Sequence, residues 1–301
     1  MKNRARRASN LLAHRFLFRP QTHLAAVLTF LSASASVPNA RAGEPPSPLA
    51  LTPIVASPKD DTKPAYQLYA ETDLPLLGIG LVMASTRLVR TQPAYCAPLC
   101  ERAQLNWLDR ANAGVYNTGW ATASDVGLYG GMMGGVALFL WIDEGALPAL
   151  NDAVVVAESA LSALAVSSLA TLAAGRPRPF LYGENAPLEV RNSADAGLSF
   201  VSNHASVAFA VAVSTYITSR RLRTHVGNVV PTLVLIGGLA AASFVSTSRV
   251  LAGKHFVTDS IAGAVIGSSV GVLIPALHGS PVKVMPKVTS QEVSLQLVGA
   301  F

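Results

Sequence analysis

The 301-residue chain has little charge: only 13% of its residues are Asp, Glu, Lys or Arg, whereas 50% are hydrophobic and the mean hydropathy is +0.40. This composition is more apolar than that of an ordinary soluble domain and favours a helical membrane protein. The net charge of +6 does not indicate a nucleic-acid partner, because much of it lies in an arginine-rich N-terminus. We therefore expect the partner to be a bilayer and not nucleic acid.

Cysteine is also scarce. The only two, Cys96 and Cys100, are separated by three residues that include Pro98. Two cysteines with no histidine nearby do not form a zinc site, so the sequence predicts no metal. In an oxidising compartment they could form a disulfide, although two unrelated thiols fit the same spacing.

The N-terminus is typical of a secretory leader, with five arginines before an apolar run from Leu24 to Val37 and then Ala40-Arg41-Ala42. We interpret residues 1–42 as a signal peptide, with an uncleaved N-terminal anchor as the alternative. Residues 43–72 are rich in Pro, Ser and Ala and are predicted to be a flexible linker. A helical domain over 73–277 and a C-terminal tail, 278–301, of unassigned role complete the chain.

Six apolar segments follow the linker, at 74–89, 126–142, 153–174, 205–219, 229–248 and 258–276. None shows the alternation of a β-strand, and a helix crosses a bilayer in about 20 residues. The sequence therefore predicts an all-α, six-helix transmembrane bundle, with short first and fourth segments. Gly263, Gly267 and Gly271 make a flat strip on which a neighbouring helix can pack.

Polar chemistry is concentrated between the last two segments, in Ser248 to Asp259. Ionisable side chains beside membrane segments cost free energy, so their presence there indicates a function. If a helix begins at Val257, Asp259 can hold one ring nitrogen of His255 and leave the other as a nucleophile or base. Arg249 offers a fork of donors that suits phosphate oxygens. For this stretch alone, an ion pair between Arg249 and Asp259 is the alternative interpretation.

Two other stretches carry similar chemistry. Ser202-Asn203-His204 opens the fourth apolar segment, where a hydroxyl, backbone N–H groups and an imidazole can meet one anion. The run from Arg176 to Phe180, with Arg178-Pro179 at its centre, follows the third segment. The chain therefore presents three anion-binding patterns, each at the end of an apolar segment.

Along the chain the three patterns occur in the order Arg-Pro, Ser-x-His and Ser-Arg-x5-His-x3-Asp. With this order of motifs, the chain resembles the type 2 phosphatidic acid phosphatase superfamily. That superfamily includes membrane lipid phosphatases, soluble bacterial acid phosphatases and vanadium haloperoxidases. The resemblance covers roughly residues 73–277 and implies phosphoester hydrolysis without a metal. It implies that His255, held by Asp259, attacks phosphorus and that His204 handles the leaving-group proton. The phosphate ligands that it implies are Arg178, Arg249, Ser202 and Asn203.

The chain departs from the family pattern at two places. The first motif normally has a lysine seven residues before Arg178, where this chain has Thr171, and no lysine occurs between Lys63 and Lys254. We expect Arg176 to supply the missing charge. Asn203 replaces a glycine; because asparagine tolerates a left-handed backbone, its N–H could still face phosphate.

The positions of the motifs also predict an orientation. With six crossings all three motifs face one side, while Arg220, Arg221 and Arg223 lie on the other, which the positive-inside rule assigns to the cytoplasm. We therefore expect a bacterial inner-membrane protein with a periplasmic site. A cleaved leader would leave the N-terminus in the periplasm, and six crossings would then place the three motifs in the cytoplasm, which contradicts this orientation. Three alternatives resolve the conflict: the leader is not a signal, the first segment does not cross, or the chain is a soluble periplasmic bundle.

The sequence thus predicts a phosphatase acting on a phospholipid or an isoprenoid phosphate. A soluble periplasmic acid phosphatase, or a lipid-phosphate-binding protein weakened by Thr171, is the alternative. Vanadate is expected to inhibit, or to serve as the cofactor in a haloperoxidase. The segment 101–125 is compatible with an interfacial helix or with a loop over the site.

Overall fold

The computed structural model describes residues 64–89, 92–144, 146–222 and 227–279, with the backbone of two strands in the C-terminal tail. The predicted signal peptide and the predicted linker as far as residue 63 lie outside the described residues. Arg223, which contributed to the predicted orientation, also lies outside them.

Eight α-helices occur in the described residues. They are α1 Ala70–Ser85, α2 Thr118–Asp125, α3 Gly134–Glu144, α4 Ala146–Ala174, α5 Leu188–Arg191, α6 Asn203–Leu222, α7 Val229–Leu251 and α8 Val257–His278. Helix α2 continues into α3 through a π-helical stretch, Val126–Met133. In the tail, β1 Lys283–Val288 pairs with β2 Val293–Val298 as an antiparallel hairpin. The prediction of an all-α chain therefore holds for the bundle and is wrong for the tail.

Each of the six predicted apolar segments lies in or overlaps one of these helices. Within the described residues, four stretches are long and apolar enough to cross a membrane: Thr118–Asp143, Leu147–Tyr182, Val229–Leu251 and Val257–His278. Helix α1 is shorter, and α6 has serine and threonine along its buried surface, including Ser206, Ser214 and Thr218. Four membrane-span candidates support a membrane protein, whereas the predicted count of six crossings is not confirmed.

Helix α6 packs closely against α8 through the predicted glycine strip. A Cβ atom at Gly267 would lie 2.1 Å from the Ser206 carbonyl oxygen, and one at Gly271 would lie 2.7 Å from that of Ala210. At Gly263 it would lie 2.6 Å from the Ser202 carbonyl oxygen. Because only glycine fits at these contacts, the predicted close helix packing is confirmed, and it fixes the start of α8 beside the start of α6.

The segment before α2 folds over one end of the bundle as a loop with short 3-10 turns, Arg102–Gln104 and Asp109–Asn112. Of the two predicted alternatives for 101–125, the loop is therefore correct as far as Asn117. Cys96 and Cys100 form a disulfide here, with Cα atoms 5.1 Å apart. Cys100 belongs to a buried cluster that includes Phe180, Tyr182 and Phe256.

One close backbone contact joins this loop to the turn between α7 and α8. Gly253 has φ +71°, and a Cβ atom there would lie 1.8 Å from the carbonyl oxygen of Val115. Both the left-handed conformation and the contact require glycine. The turn that contains His255 is consequently clamped between the loop and the bundle.

Candidate active site

A cavity of about 340 Å³ lies at this end of the bundle. Residues from all three sequence motifs line it, as do several that sequence analysis did not select. The lining consists of Ala121, Asp125, Thr171, Arg178, Asp195, Leu198, Val201, Asn203, His204, Arg249, Lys254 and His255. The structure therefore gathers most of the predicted site in one place.

His255 is the most constrained side chain of the cavity. It is 3% exposed, and its Nδ1 lies 2.6 Å from the carbonyl oxygen of Ser199. Since a carbonyl oxygen only accepts, Nδ1 carries the proton and Nε2 keeps its lone pair, 3.4 Å from a guanidinium nitrogen of Arg178. Burial, and then the Arg178 cation, lower the pKa of His255 well below its ordinary value. The imidazole is therefore neutral, with Nε2 available as a nucleophile.

Asp259 does not hold His255 in the way the sequence predicted. Its Oδ2 lies 4.0 Å from Nδ1, too far for a hydrogen bond. The same oxygen accepts from the hydroxyl of Ser199 at 2.5 Å and from the N–H of Phe256 at 2.8 Å. Asp259 thus fixes Ser199, whose carbonyl orients the histidine, and its effect on His255 is indirect.

Arg176 does not line the cavity, in contrast to the expectation that it replaces the missing lysine. Its guanidinium binds the buried carboxylates of Asp109, at 2.7 Å, and Asp259, and it stacks 4.3 Å from the ring centre of Phe256. Thr258 also receives a hydrogen bond from it. With two carboxylates bound, Arg176 anchors the covering loop to the start of α8 and is not among the residues that line the cavity.

His204 lies across the cavity at the start of α6. Its Nε2 is 2.7 Å from Oδ1 of Asp125, the last residue of α2. Burial, followed by the charge of Arg249, lowers the pKa of His204 to about 4, although the Asp125 carboxylate opposes this. Asp125 therefore orients His204 and favours its protonated form.

Two arginines line the cavity as predicted. Arg178 is 3% exposed. It donates to the backbone oxygen of Asp195 at 2.9 Å, to the carboxylate of Asp195 at 2.7 Å and to the backbone oxygen of Lys254 at 2.6 Å. Arg249 donates to the Ser124 hydroxyl at 3.1 Å and lies 3.4 Å from Asp125. Both guanidinium groups are thus pre-positioned by fixed acceptors, as phosphate ligands need to be.

Thr171 faces the same cavity as Arg178, although no continuous helix connects the two residues. Helix α4 ends at Ala174, and Gly175 is left-handed at φ +55°. The Thr171 hydroxyl donates to the carbonyl oxygen of Ser167 at 2.7 Å and accepts from the N–H of Val201 at 3.2 Å. This threonine therefore connects the first motif to the second.

Asn203 and Ser202 differ in their placement. Asn203 lines the cavity, with its side-chain nitrogen 3.1 Å from the Ser168 hydroxyl. Ser202 is fully buried and does not line the cavity; its hydroxyl accepts from the N–H of Ala205 at 3.4 Å and caps α6. Direct binding of phosphate by the Ser202 hydroxyl remains a prediction.

Lys254 is a cationic lining residue that sequence analysis missed. Its ammonium lies 4.0 Å from Asp195 and 5.5 Å from the ring centre of Phe180. Burial, and then the charge of Arg178, lower the pKa of Lys254. A lysine is thus present at the cavity, supplied by the third motif in place of the first.

Asp125 was missed for a different reason: it lies on α2, far from the three motifs in sequence. The available signal was a lone Ser124-Asp125 pair before a glycine-rich apolar segment. That segment forms the π-helical stretch, where Gly127 allows close contact with α7; a Cβ there would be 3.2 Å from a methyl group of Val245. Such π-helical stretches are frequent at functional sites.

A second, largely apolar cavity of about 460 Å³ adjoins the first and shares Asn203 and His204 with it. Its walls come from α1, the π-helical stretch, α3, α4 and α6. They include Leu77, Leu128, Tyr129, Met133, Val136, Ala157, Leu161, Val207 and Val211. We call this cavity the apolar groove. An apolar chain bound in it would have its head beside His204.

Comparison with protein-family models agrees with the motifs. Residues 152–281 match the family model described as PAP2 superfamily. A crystal structure described as the first transmembrane PAP2 type phosphatidylglycerolphosphate phosphatase, from Bacillus subtilis, aligns at 19% sequence identity with a TM-score of 0.39, covering 69% of this chain and 96% of that chain. No curated protein matches. The matched segment contains all three motifs, and the resemblance to the PAP2 superfamily that the sequence predicted is confirmed over residues 152–281.

Proposed function

We propose that the chain is a membrane phosphatase that hydrolyses a lipid phosphomonoester or diphosphate through a phosphohistidine. The observation that carries this proposal is the state of His255. Its Nδ1 proton is committed to Ser199, and its Nε2 lone pair faces a cavity lined by Arg178, Arg249 and Lys254. A neutral nucleophile among fixed cations is what attack on a phosphate anion requires.

In the first step Nε2 of His255 forms a bond to phosphorus, and the bond from phosphorus to the leaving oxygen breaks. His204, when protonated, gives its proton to that oxygen. Because Asp125 only accepts, Nε2 of His204 stays protonated toward it, and Nδ1 is the nitrogen that exchanges the proton. In the second step His204 takes a proton from water, which attacks phosphorus and releases orthophosphate from His255.

The apolar groove supports a lipid substrate. The groove shares His204 with the polar cavity. The leaving group of a lipid phosphate could therefore contact His204 while its apolar chain lies in the groove between α4 and α6. Burying an apolar chain is favourable by about 0.8 kcal/mol per CH₂ group. Which headgroup is preferred, and the periplasmic orientation of the site, remain predictions.

Blocking the groove should separate lipid from soluble substrates. Ala157 is exposed and lines the groove, so Ala157→Trp fills it without displacing a core residue. We expect kcat/KM for phosphatidate or undecaprenyl diphosphate to fall about tenfold, the cost of losing about two buried CH₂ groups. Phosphate release from an aryl phosphate should not change.

The matched control for this test is Val166→Trp, on the same helix. Val166 is 45% exposed and lies outside the groove, and this variant should behave as wild type toward every substrate. Equal losses for lipid and aryl phosphate in Ala157→Trp would contradict a lipid site in the groove. Absence of phosphate release from every compound would instead favour a lipid-phosphate-binding protein.

The pH dependence should report the pairing of His204 with Asp125. The pKa of His204 is lowered to about 4, and Asp125 is the group that opposes this lowering. Asp125→Asn therefore lowers the pKa further and decreases the protonated fraction at any pH above it. We expect the high-pH side of the kcat/KM profile to move to lower pH by about one unit, with about a tenfold loss at neutral pH.

Two further variants test whether this shift is specific. Asp125→Glu restores a carboxylate and should return the profile toward that of wild type. Asp195→Asn alters the partner of Arg178 and should lower activity without moving the high-pH side. A profile of Asp125→Asn that has the wild-type shape would refute the acid role of His204.

A further inference from the structure

Three buried titratable side chains meet at the opposite end of the bundle, and the proposed reaction uses none of them. They are Asp73 from α1, Glu158 from α4 and His278 from α8, which we call the distal cluster. His278 ends the helix whose first residue, Val257, follows the active-site turn closely, so the two ends lie about 32 Å apart at 1.5 Å per residue. The cluster is therefore separate from the catalytic cavity.

The atoms of the distal cluster converge on one point. Nδ1 of His278 lies 3.0 Å from the carbonyl oxygen of Ile274, to which it donates, so Nε2 faces the two acids. Nε2 lies 3.2 Å from Oδ1 of Asp73 and 3.1 Å from Oε2 of Glu158. One ligand atom from each residue lies within 4.8 Å of the other two.

A proton on Nε2 cannot satisfy both acids. The geometry suits a hydrogen bond to Asp73, whereas neither carboxylate oxygen of Glu158 has a hydrogen-bond partner among the described residues. Glu158 is fully buried. A buried carboxylate without a donor is strongly destabilising, and buried charges in proteins are paired or bind metal. Apart from the one imidazole that it shares with Asp73, Glu158 meets no donor among the described residues, and this shortage points to a missing cation.

We propose that the distal cluster binds a divalent transition-metal ion, with Zn²⁺ the best fit. One imidazole and two carboxylates are ligands that zinc accepts. Bonds of about 2.0–2.1 Å at a tetrahedral angle place neighbouring ligand atoms about 3.3 Å apart, which is close to the observed 3.1 and 3.2 Å. Water or the second oxygen of Glu158 completes the coordination.

The supporting contacts are those of a structural metal site. The second oxygen of Asp73 accepts from the N–H of Tyr69 at 2.5 Å, and Nδ1 of His278 is held by Ile274, so two of the three ligands are oriented from behind. A bound ion would join α1, which lies outside the PAP2-matching segment, to α4 and α8. The ion acts on stability and takes no part in the proposed phosphatase reaction.

Metal content and melting temperature of the full-length, tag-free protein test this proposal, and neither readout depends on phosphatase activity. After EDTA treatment and removal of the chelator, added Zn²⁺ should bind at one ion per chain. At a free Zn²⁺ concentration about 100 times Kd, the melting temperature should rise by roughly 5–10 °C. Co²⁺ in place of Zn²⁺ should give the visible absorption of a low-coordinate site.

Glu158→Gln should bind no zinc and show no Zn²⁺-dependent shift. The control is Asp152→Asn: Asp152 is buried on the same helix but accepts from the N–H groups of Ala65 and Tyr66, so this variant should still bind one ion. Wild type that retains no zinc, together with a higher melting temperature for Glu158→Gln, would overturn the proposal. That result would identify the cluster as a protonated histidine between two acids.

Discussion

His255→Asn should abolish phosphate release, lowering kcat by at least about 10⁴-fold, the scale seen when a nucleophile is removed. Asparagine keeps an N–H near the position of Nδ1, so the bond to the Ser199 carbonyl oxygen can persist while Nε2 is lost. The measurement is initial-rate phosphate release from the best lipid substrate.

Phosphoenzyme trapping then distinguishes the two histidines. With substrate labelled in the phosphoryl group, His204→Ala should accumulate an acid-labile, alkali-stable label, because the water-activating step depends on His204. His255→Asn should accumulate none. Label mapped to His204 would reverse the assignment, and an unchanged melting temperature for His255→Asn would show that its inactivity does not come from misfolding.

The bundle was predictable because its determinants are local. Apolar runs of helical length and the spacing of Gly263, Gly267 and Gly271 each determine one element or one contact. The hairpin of the tail was missed, although Val293 to Leu297 alternates between apolar and polar residues as a strand does.

The site was predictable only where its residues belong to a motif. His204, Arg178, Arg249 and His255 line one cavity because each follows or precedes an apolar segment. The helix begins at Val257, as assumed, but His255 lies two residues before it, so the i, i+4 spacing of Asp259 did not determine the orientation of the ring. The carbonyl that does orient it, that of Ser199, comes from a loop. A hydrogen bond between a side chain and a backbone carbonyl 56 residues away, such as that from His255 to Ser199, cannot be predicted from residue spacing.

Charge placement was the least predictable feature. Arg176 was expected beside the phosphate because it neighbours Arg178 in sequence. Residues 175–178, however, form an irregular segment between α4 and the 3-10 turn Pro179–Tyr182, so no helix or strand period determines which of their side chains face the cavity. Arg176 instead finds Asp109 and Asp259. Lys254, adjacent to His255, faces the cavity that Arg176 does not reach.

Lys254 should therefore supply the charge that the first motif lacks. A charge-assisted bond to a transition-state oxygen is worth about 3 kcal/mol, so Lys254→Ala should lower kcat/KM on the order of a hundredfold, and Lys254→Arg should lower it much less. Arg176→Ala should lower the melting temperature more than it lowers the rate per folded molecule, because Arg176 binds two buried carboxylates of the fold.

The decisive experiment moves the lysine back to the first motif. Thr171 and Lys254 line the same cavity, so Thr171→Lys should recover a large part of the activity lost in Lys254→Ala. In the wild-type background it should add little, because two ammonium groups would then crowd the Arg178 guanidinium. Thr171→Met, of similar length without charge, controls for loss of the bond to Val201 and should give no recovery. Less than a threefold loss in Lys254→Ala, or equal recovery by Met and Lys, would refute the assignment.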